Sequence, residues 1–479
     1  MALRGVRPSD ADYAAVEADP KAMSKLVDAY LDSPDFGATV RDLHNDTLLL
    51  LADFDAMSEH PCSMGHVTSD MSRRTWLKRG FYAVAAAGAL AGGRRLAAAE
   101  PGPARRVVLV LVQGGWDTTY AIDPKPGLGG IDSPAGAVKE FHGLDVLTDP
   151  VRPAVGAFFD AWGDRCAIVR GVSVASVAHP DCMRRILTGV LDDTAPDIAA
   201  IAAATHAPDL PAPYLILGRT AYSGPWGALS ARTGSVNQIV TLLDPQLTFP
   251  ALGAPLLPLV PSAGEEALIR AHVELRAERE LAAAEGSKRV QDFLDALPRG
   301  DLLRDLGEVG ELELTRTFDT QIELAVEALR RGLCHSVQIE SGDWDTHTDN
   351  DAQGPKHEAL FKSLAGLMQS LAAAGLLDDT VVVVASEMGR TPRLNAALGK
   401  DHWPITSALV LGAGVAGGRV VGATTDAFDA APIDFTTGAI DPAGPPIAYA
   451  DLAAGLLGLV GVDPSAHIPT GEPLHAISA

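Results

Sequence analysis

The chain has 479 residues, enough for one large α/β domain or two smaller ones, and 47% of them are apolar, ample for a buried core. Aromatic residues make up only 5%, while Ala and Gly are abundant, which suits close helix-on-sheet packing and argues against a lectin-like aromatic binding surface. The formal charge of −23 argues against nucleic acid or an acidic membrane surface as partner; its plain reading is solubility, with a minor share of carboxylates gathered around cations.

In chain order, residues 1–70 come first and carry no recognisable chemistry. Ser33-Pro34 reads as an N-cap followed by proline at the first helical position, which predicts helices around 22–31 and 35–54. Residues 71–99 then read as a signal peptide: Met-Ser-Arg-Arg-Thr-Trp-Leu-Lys, an Ala-rich apolar stretch, and Ala97-Ala98-Ala99 before Glu100. The apolar run from Phe81 to Gly93 is too short to span a bilayer. Arg73-Arg74 resembles the twin-arginine consensus, with Trp76 in the usual Phe position. The expectation is delivery to the periplasm or outside by the twin-arginine export machinery, already folded, with no stable membrane span after cleavage. A segment ahead of such a signal has two readings. Either the start is misassigned and Met71 or Met64 is the true beginning, or a small helical extension is fused there; the first is preferred.

From residue 100 to 479, short apolar runs that do not alternate read as buried parallel strands: Val107–Val112, Cys166–Val169, Pro213–Leu217, Ser336–Ile339, Thr380–Ala385 and Ser407–Leu411. Amphipathic helical stretches lie between them at Glu265–Leu297, Leu312–Leu333 and His357–Ala373. Arg419–Ala423 is expected as an edge strand and Tyr449–Val460 as a late helix, with loops over 121–135 and 425–447. The alternation predicts a mostly parallel central sheet with helices on both faces.

Polar residues cluster where those strands end, which is where open α/β sheets bind ligands. Val107–Val112 runs into Gln113-Gly114-Gly115-Trp116-Asp117, whose glycines permit a tight turn. Ser336–Ile339 runs into Glu340-Ser341-Gly342-Asp343-Trp344-Asp345-Thr346-His347. In extended backbone residues two apart face one side, so Asp343, Asp345 and His347 are expected to converge, a carboxylate and imidazole mix suited to a metal. Thr380–Ala385 ends in Ser386-Glu387-Met388-Gly389-Arg390-Thr391-Pro392. Glu387 after four valines needs a cation, a metal or several donors, and Arg390 is the local candidate for a plain ion pair. Next comes Lys400-Asp401-His402-Trp403; adjacent residues point opposite ways, so His402 is the expected ligand and Asp401 its orienting partner. His179, in Ser176-Val177-Ala178-His179-Pro180-Asp181-Cys182, is either a ligand or a cap of a helix starting near Cys182.

Cys62, Cys166, Cys182 and Cys334 form no CxxC pair, so each is expected to be a small buried residue. A disulfide after export and a redox role for Cys166 and Cys182 are weaker alternatives.

Together, Gly114-Gly115-Trp116-Asp117, Trp344-Asp345-Thr346-His347, Ser386-Glu387-Met388-Gly389-Arg390-Thr391-Pro392 and Asp401-His402-Trp403 resemble the domain of unknown function 1501 family, within the alkaline phosphatase and sulfatase superfamily. The resemblance covers about residues 71–475. It implies an alkaline-phosphatase-like fold and a two-metal site of zinc, manganese or calcium, with Asp117, Asp345, His347, Glu387 and His402 as ligands. Asp343, Asp401 and His179 are further ligand candidates. Two cations can clamp an ester, and Arg390 and Lys400 would neutralise an anionic small-molecule or polymer substrate. Met388 stands where the superfamily has His, and the sulfatase Cys-x-Pro-x-Arg signature is absent. No nucleophile stands out; His179, Arg390 and Thr118 are the catalytic candidates, with Ser173 and Ser176 looser ones. The reading is an exported metal-dependent hydrolase of phosphate or sulfate esters; the alternative is a non-catalytic exported metal-binding or assembly protein.

Overall fold

The run Arg106–Val112 is almost all β-branched or Leu, a composition that fits a strand covered on both faces. It forms β1, with Val108, Val110 and Val112 in one apolar core and Val107, Leu109 and Leu111 in the other. The computed structural model describes residues 103–232, 263–282 and 317–479, with isolated positions at 25, 290–291, 294–295 and 297–298. The expected helices before residue 70, the twin-arginine segment and Cys62 lie outside the described residues.

The further strands are β2 (Ala137–Phe141), β3 (Leu144–Thr148), β4 (Cys166–Ser173), β5 (Tyr214–Ile216), β6 (Ser230–Arg232), β7 (Ser336–Ser341), β8 (Thr380–Ala385), β9 (Gly389–Arg390), β10 (His402–Trp403), β11 (Ile405–Gly412) and β12 (Arg419–Gly422). Eight of them make one sheet in the order β12-β4-β11-β8-β1-β7-β5-β6. β2 pairs with β3 and β9 with β10 in separate two-stranded ribbons.

The helices are α1 (Pro153–Trp162), α2 (His179–Thr188), α3 (Ile198–His206), α4 (Ala263–Ala282), α5 (Phe318–Arg330), α6 (Gln353–Ala373) and α7 (Tyr449–Leu459). Residues of α1, α5 and α6 share a core with one face of the sheet, and residues of α2, α3 and α7 share a core with the other. The fold is therefore α/β, a mostly parallel sheet with helices on both faces.

The direction of β11 departs from expectation. Its apolar run predicts a parallel strand, yet it runs antiparallel to both β4 and β8. Apolar runs buried on both faces read alike in either direction, so composition cannot report strand polarity. The reversal has a consequence for the site. The carboxyl ends of β1, β4, β7 and β8 lie at one edge of the sheet, and the antiparallel β11 brings its amino end, just after His402, to that same edge.

Other boundaries follow local chemistry. α2 begins at His179, earlier than Cys182, because Pro180 fits the first turn of a helix. β12 is the sheet edge. Cys166, Cys182 and Cys334 are buried and free, and burial pushes the Cys182 thiol up to about 11, which suits packing more than redox chemistry. No helix among the described residues is long and apolar enough to cross a membrane.

Candidate metal centre

The edge gathers side chains from four separate segments. His179 comes from the start of α2, Asp345 and His347 from the turn after β7, Glu387 from the turn after β8, and Asp401 and His402 from the approach to β11. His179, Asp345 and His402 offer ligand atoms that all lie within 4.8 Å of one another. Asp345 Oδ1 is 3.2 Å from His402 Nε2 and 3.2 Å from His347 Nε2, and its Oδ2 is 3.6 Å from His179 Nε2.

Each ring is turned by a partner at Nδ1. His179 Nδ1 donates to Glu387 Oε1 at 2.8 Å, His347 Nδ1 donates to Asp401 Oδ1 at 2.8 Å, and His402 Nδ1 donates to the Val177 carbonyl at 2.8 Å. Carboxylates and carbonyls only accept, so these contacts fix the Nδ1 proton and direct each Nε2 toward Asp345. This is the pattern by which proteins orient histidines that hold metals. The donor set therefore fits a divalent cation: nitrogen lone pairs from His179, His347 and His402 with a carboxylate from Asp345.

The electrostatics agree with a cation site. Although burial alone would lower it, hydrogen bonding to Asp345 and Glu387 raises the His179 imidazolium to about 9. Burial would raise the Asp345 carboxyl, but His179, His402 and the Arg390 guanidinium hold it far below the usual carboxylate range. The hydrogen bond from His347 likewise lowers Asp401.

Residues 274–472 match the family described as "Protein of unknown function (DUF1501)". The matched stretch includes Asp345, His347, Glu387, Asp401 and His402 and leaves out His179 and Asp117. Comparison with curated proteins gives no match. Among solved structures, a protein in the alkaline phosphatase superfamily from Vibrio parahaemolyticus is similar at 10% identity and a TM-score of 0.34, over 76% of this chain and 69% of that one. The PsFucS1 sulfatase from Pseudoalteromonas sp. is similar at 12% identity and a TM-score of 0.35, over 85% and 77% of the two chains. The phosphonate monoester hydrolase of Agrobacterium radiobacter is similar at 13% identity and a TM-score of 0.30, over 78% and 77%.

Several residues singled out in the sequence sit outside this cluster or play another part in it. Asp117 is buried and engaged elsewhere: Oδ1 accepts from the Thr119 hydroxyl at 2.6 Å, and Oδ2 accepts from Asn350 at 2.9 Å and meets the Lys400 ammonium at 2.8 Å. Burial would raise the Asp117 carboxyl, but Lys400 holds it low. Asp343 is exposed, and its left-handed backbone (φ 67°) breaks the alternation that would have aligned it with Asp345. Thr118 is buried in the short 3-10 turn that Asp117 caps. Ser176 accepts from the Ala178 amide, and Ser173 ends β4. Asp401 does orient a histidine, but that histidine is His347 rather than its neighbour His402.

Arg390 and Lys400 do not face a substrate. Arg390 is 0% exposed and donates to the carbonyls of Gly115 (2.8 Å), Lys400 (2.9 Å), Trp344 (3.2 Å) and Gly114, and to Asp345 Oδ1 (2.6 Å). Lys400 is buried against Asp117. Sequence order cannot show that either cation points inward, because Arg390 lies in the two-residue β9 and Lys400 in the loop before β10, whose directions are set by the fold.

Two positioning residues carry no signal in the sequence. Gln353, the first residue of α6, accepts from the Asp117 amide at 2.7 Å and donates to Gly115, Trp344 and Thr346, tying the two motif turns together. His357 is fully buried, stacks on Trp116 and Tyr120, and contacts the Asp117 carbonyl at 3.1 Å. A polar residue at helical spacing gives no hint of such a buried role.

Proposed function

We propose that this chain is an exported metal-dependent hydrolase acting on phosphate or sulfate esters. The observation that carries the reading is the convergence of three oriented imidazoles on Asp345 at the sheet edge where ligands of open α/β folds bind. The order of the motifs, which resembles the alkaline phosphatase and sulfatase superfamily, supports an oxyanion ester as substrate. The twin-arginine motif supports delivery to the periplasm or outside.

His179, His347, His402 and Asp345 would hold the cation, and a bound divalent ion supplies Lewis acidity toward an ester oxygen. Glu387 and Asp401 hold the proton on Nδ1 of His179 and His347 and so keep Nε2 free. Asp345 and His347 have side chains 44% and 45% exposed, so an incoming group reaches the cluster from solvent. Zinc and manganese suit this nitrogen-rich donor set better than calcium, which prefers oxygen ligands.

The burial of Arg390 and Lys400 favours a second reading, an exported metal-binding protein of the same fold without turnover, since neither cation meets an incoming anion. One experiment separates the two. Metal content is measured on the purified chain, followed by assays on aryl phosphates and aryl sulfates. Bound metal with turnover abolished by Asp345→Ala supports the hydrolase; bound metal without turnover on either ester supports the second reading.

A further inference from the structure

We infer that the centre takes one divalent cation, held by Nε2 of His179, His347 and His402 and by Asp345, with the Arg390 guanidinium standing as a fixed positive charge on Asp345 Oδ1. This rests on the metal reading proposed above and departs from the two-metal site that the sequence resemblance implies.

The count of available lone pairs decides between one ion and two. His179, Asp345 and His402 offer donors within 4.8 Å of one another, and His347 Nε2, 2.9 Å from His402 Nε2 and 3.2 Å from Asp345 Oδ1, brings the donors to four; each ring is already oriented through Nδ1. A second ion would need donors of its own, and the neighbouring groups are used. Glu387 is fully buried; Oε1 accepts from the Gly114 amide at 2.8 Å and from His179, and Oε2 accepts from the Ser386 hydroxyl at 3.1 Å. Glu387 is therefore the orienting partner of His179. Asp117 is closed off by Thr119, Asn350 and Lys400. Met388, between Glu387 and Gly389, offers only a buried thioether, a weak acceptor for a hard cation.

Charge argues the same way. Asp345 Oδ1 already binds Arg390 at 2.6 Å. The guanidinium is pinned by four carbonyls and cannot lose its proton. Asp345 thus already divides its single negative charge between the proposed cation and a fixed guanidinium, and a second divalent ion would add its charge with no further carboxylate to offset it.

The test is a titration of the full chain, stripped with a chelator and reloaded with Co(II), followed by visible absorption and checked by elemental analysis with zinc. The expected end point is one equivalent per chain. Glu387→Gln and the exposed Asp401→Asn, which touch only orienting partners, should keep that end point and weaken affinity about 10- to 100-fold. His402→Ala should remove the saturable site. An end point of two equivalents, or a Glu387→Gln chain that drops from two to one, overturns the single-cation inference while leaving metal-dependent hydrolysis standing. No saturable metal in the wild-type chain overturns the metal reading itself.

Discussion

The Nε2 atoms of His347 and His402 face one another across 2.9 Å, although both rings carry their Nδ1 proton on an acceptor elsewhere. Two such lone pairs repel unless a proton or a cation lies between them. Asp345 Oδ1, 3.2 Å from each, supplies the negative charge that such a cation would neutralise. The arrangement is stable only with a positive charge present, and that sets the first prediction.

Zinc should raise the thermal midpoint of the chelator-stripped chain, and Asp345→Asn should abolish the increase. A ligand at 100 times its dissociation constant stabilises by about 2.7 kcal/mol. The measurement is a thermal melt at several zinc concentrations. A midpoint that ignores zinc in the wild-type chain contradicts the prediction.

Gly114 is required by the site as well as by its turn. Its φ is +121°, and a Cβ there would lie 2.6 Å from the Asp345 amide and 2.8 Å from that of Trp344. Gly114→Ala should push the Asp345 turn outward, weaken metal binding at least about 10-fold and destabilise by roughly 1–3 kcal/mol. Gly127→Ala is the control: its φ is +78°, but a Cβ there would meet nothing within 4 Å. It should cost only the left-handed strain, about 1 kcal/mol, with metal affinity unchanged. Equal metal affinity in Gly114→Ala and the wild-type chain would refute this role for the glycine.

Much of this centre is legible in the sequence. Position marks Asp345, His347 and His402: each follows or precedes a strongly apolar run, and such runs locate strand ends reliably. The cost of burying a carboxylate after four valines marks Glu387. What the sequence hides depends on chain direction and on distance through space. The antiparallel course of β11 cannot be read from an apolar run, and it decides that His402 meets Asp345. Whether His179 is ligand or cap depends on where the start of α2 lies relative to Glu387, which is 208 residues away in sequence. Cations usually stay solvated, which makes Arg390 and Lys400 look like ligand-facing groups, yet here carbonyls and Asp117 satisfy them inside.

Acid should destabilise the chain through two buried histidines away from the ligand set. Burial, with His206 and Arg106 nearby, lowers His335 to about 4; burial, partly offset by Asp117, lowers His357 to about 3. An unfolded histidine takes up its proton near pH 6.5, so between that pH and about 4 the unfolded chain binds more protons than the folded one. Each of these two histidines therefore takes away stability as pH drops through this window, by roughly 3 kcal/mol, while the buried Asp197 carboxyl, pushed up to about 6, works in the opposite direction. Chemical denaturation at pH 7, 5.5 and 4.5 checks the slope, and His357→Gln should make it shallower. A His357→Gln chain that keeps the wild-type slope over this range would show that the His357 ring does not stay neutral when folded.

The buried pair of Lys400 and Asp117 links the turn after β1 to the segment that carries Asp401 and His402. Removing one member leaves the other charge without its partner in the interior, which typically costs 3–5 kcal/mol. Lys400→Met should therefore destabilise by about that much, even though the methionine fills most of the volume. Asp117→Asn alone leaves the Lys400 ammonium facing an amide and should cost a similar amount. The double variant removes both charges, and a neutral pair of similar shape is often tolerated, so its loss should be clearly smaller than the sum of the single losses. A double-mutant cycle by urea denaturation reads this directly. Additive losses would mean that the two charges do not interact, and metal affinity should tell the same story. It should fall in both single variants, because the backbone that presents His402 is anchored beside Lys400, whose amide donates to Thr346 at 3.0 Å and whose carbonyl accepts from Arg390 at 2.9 Å. It should recover in the double variant, where no unpaired buried charge is left to pull that backbone out of place.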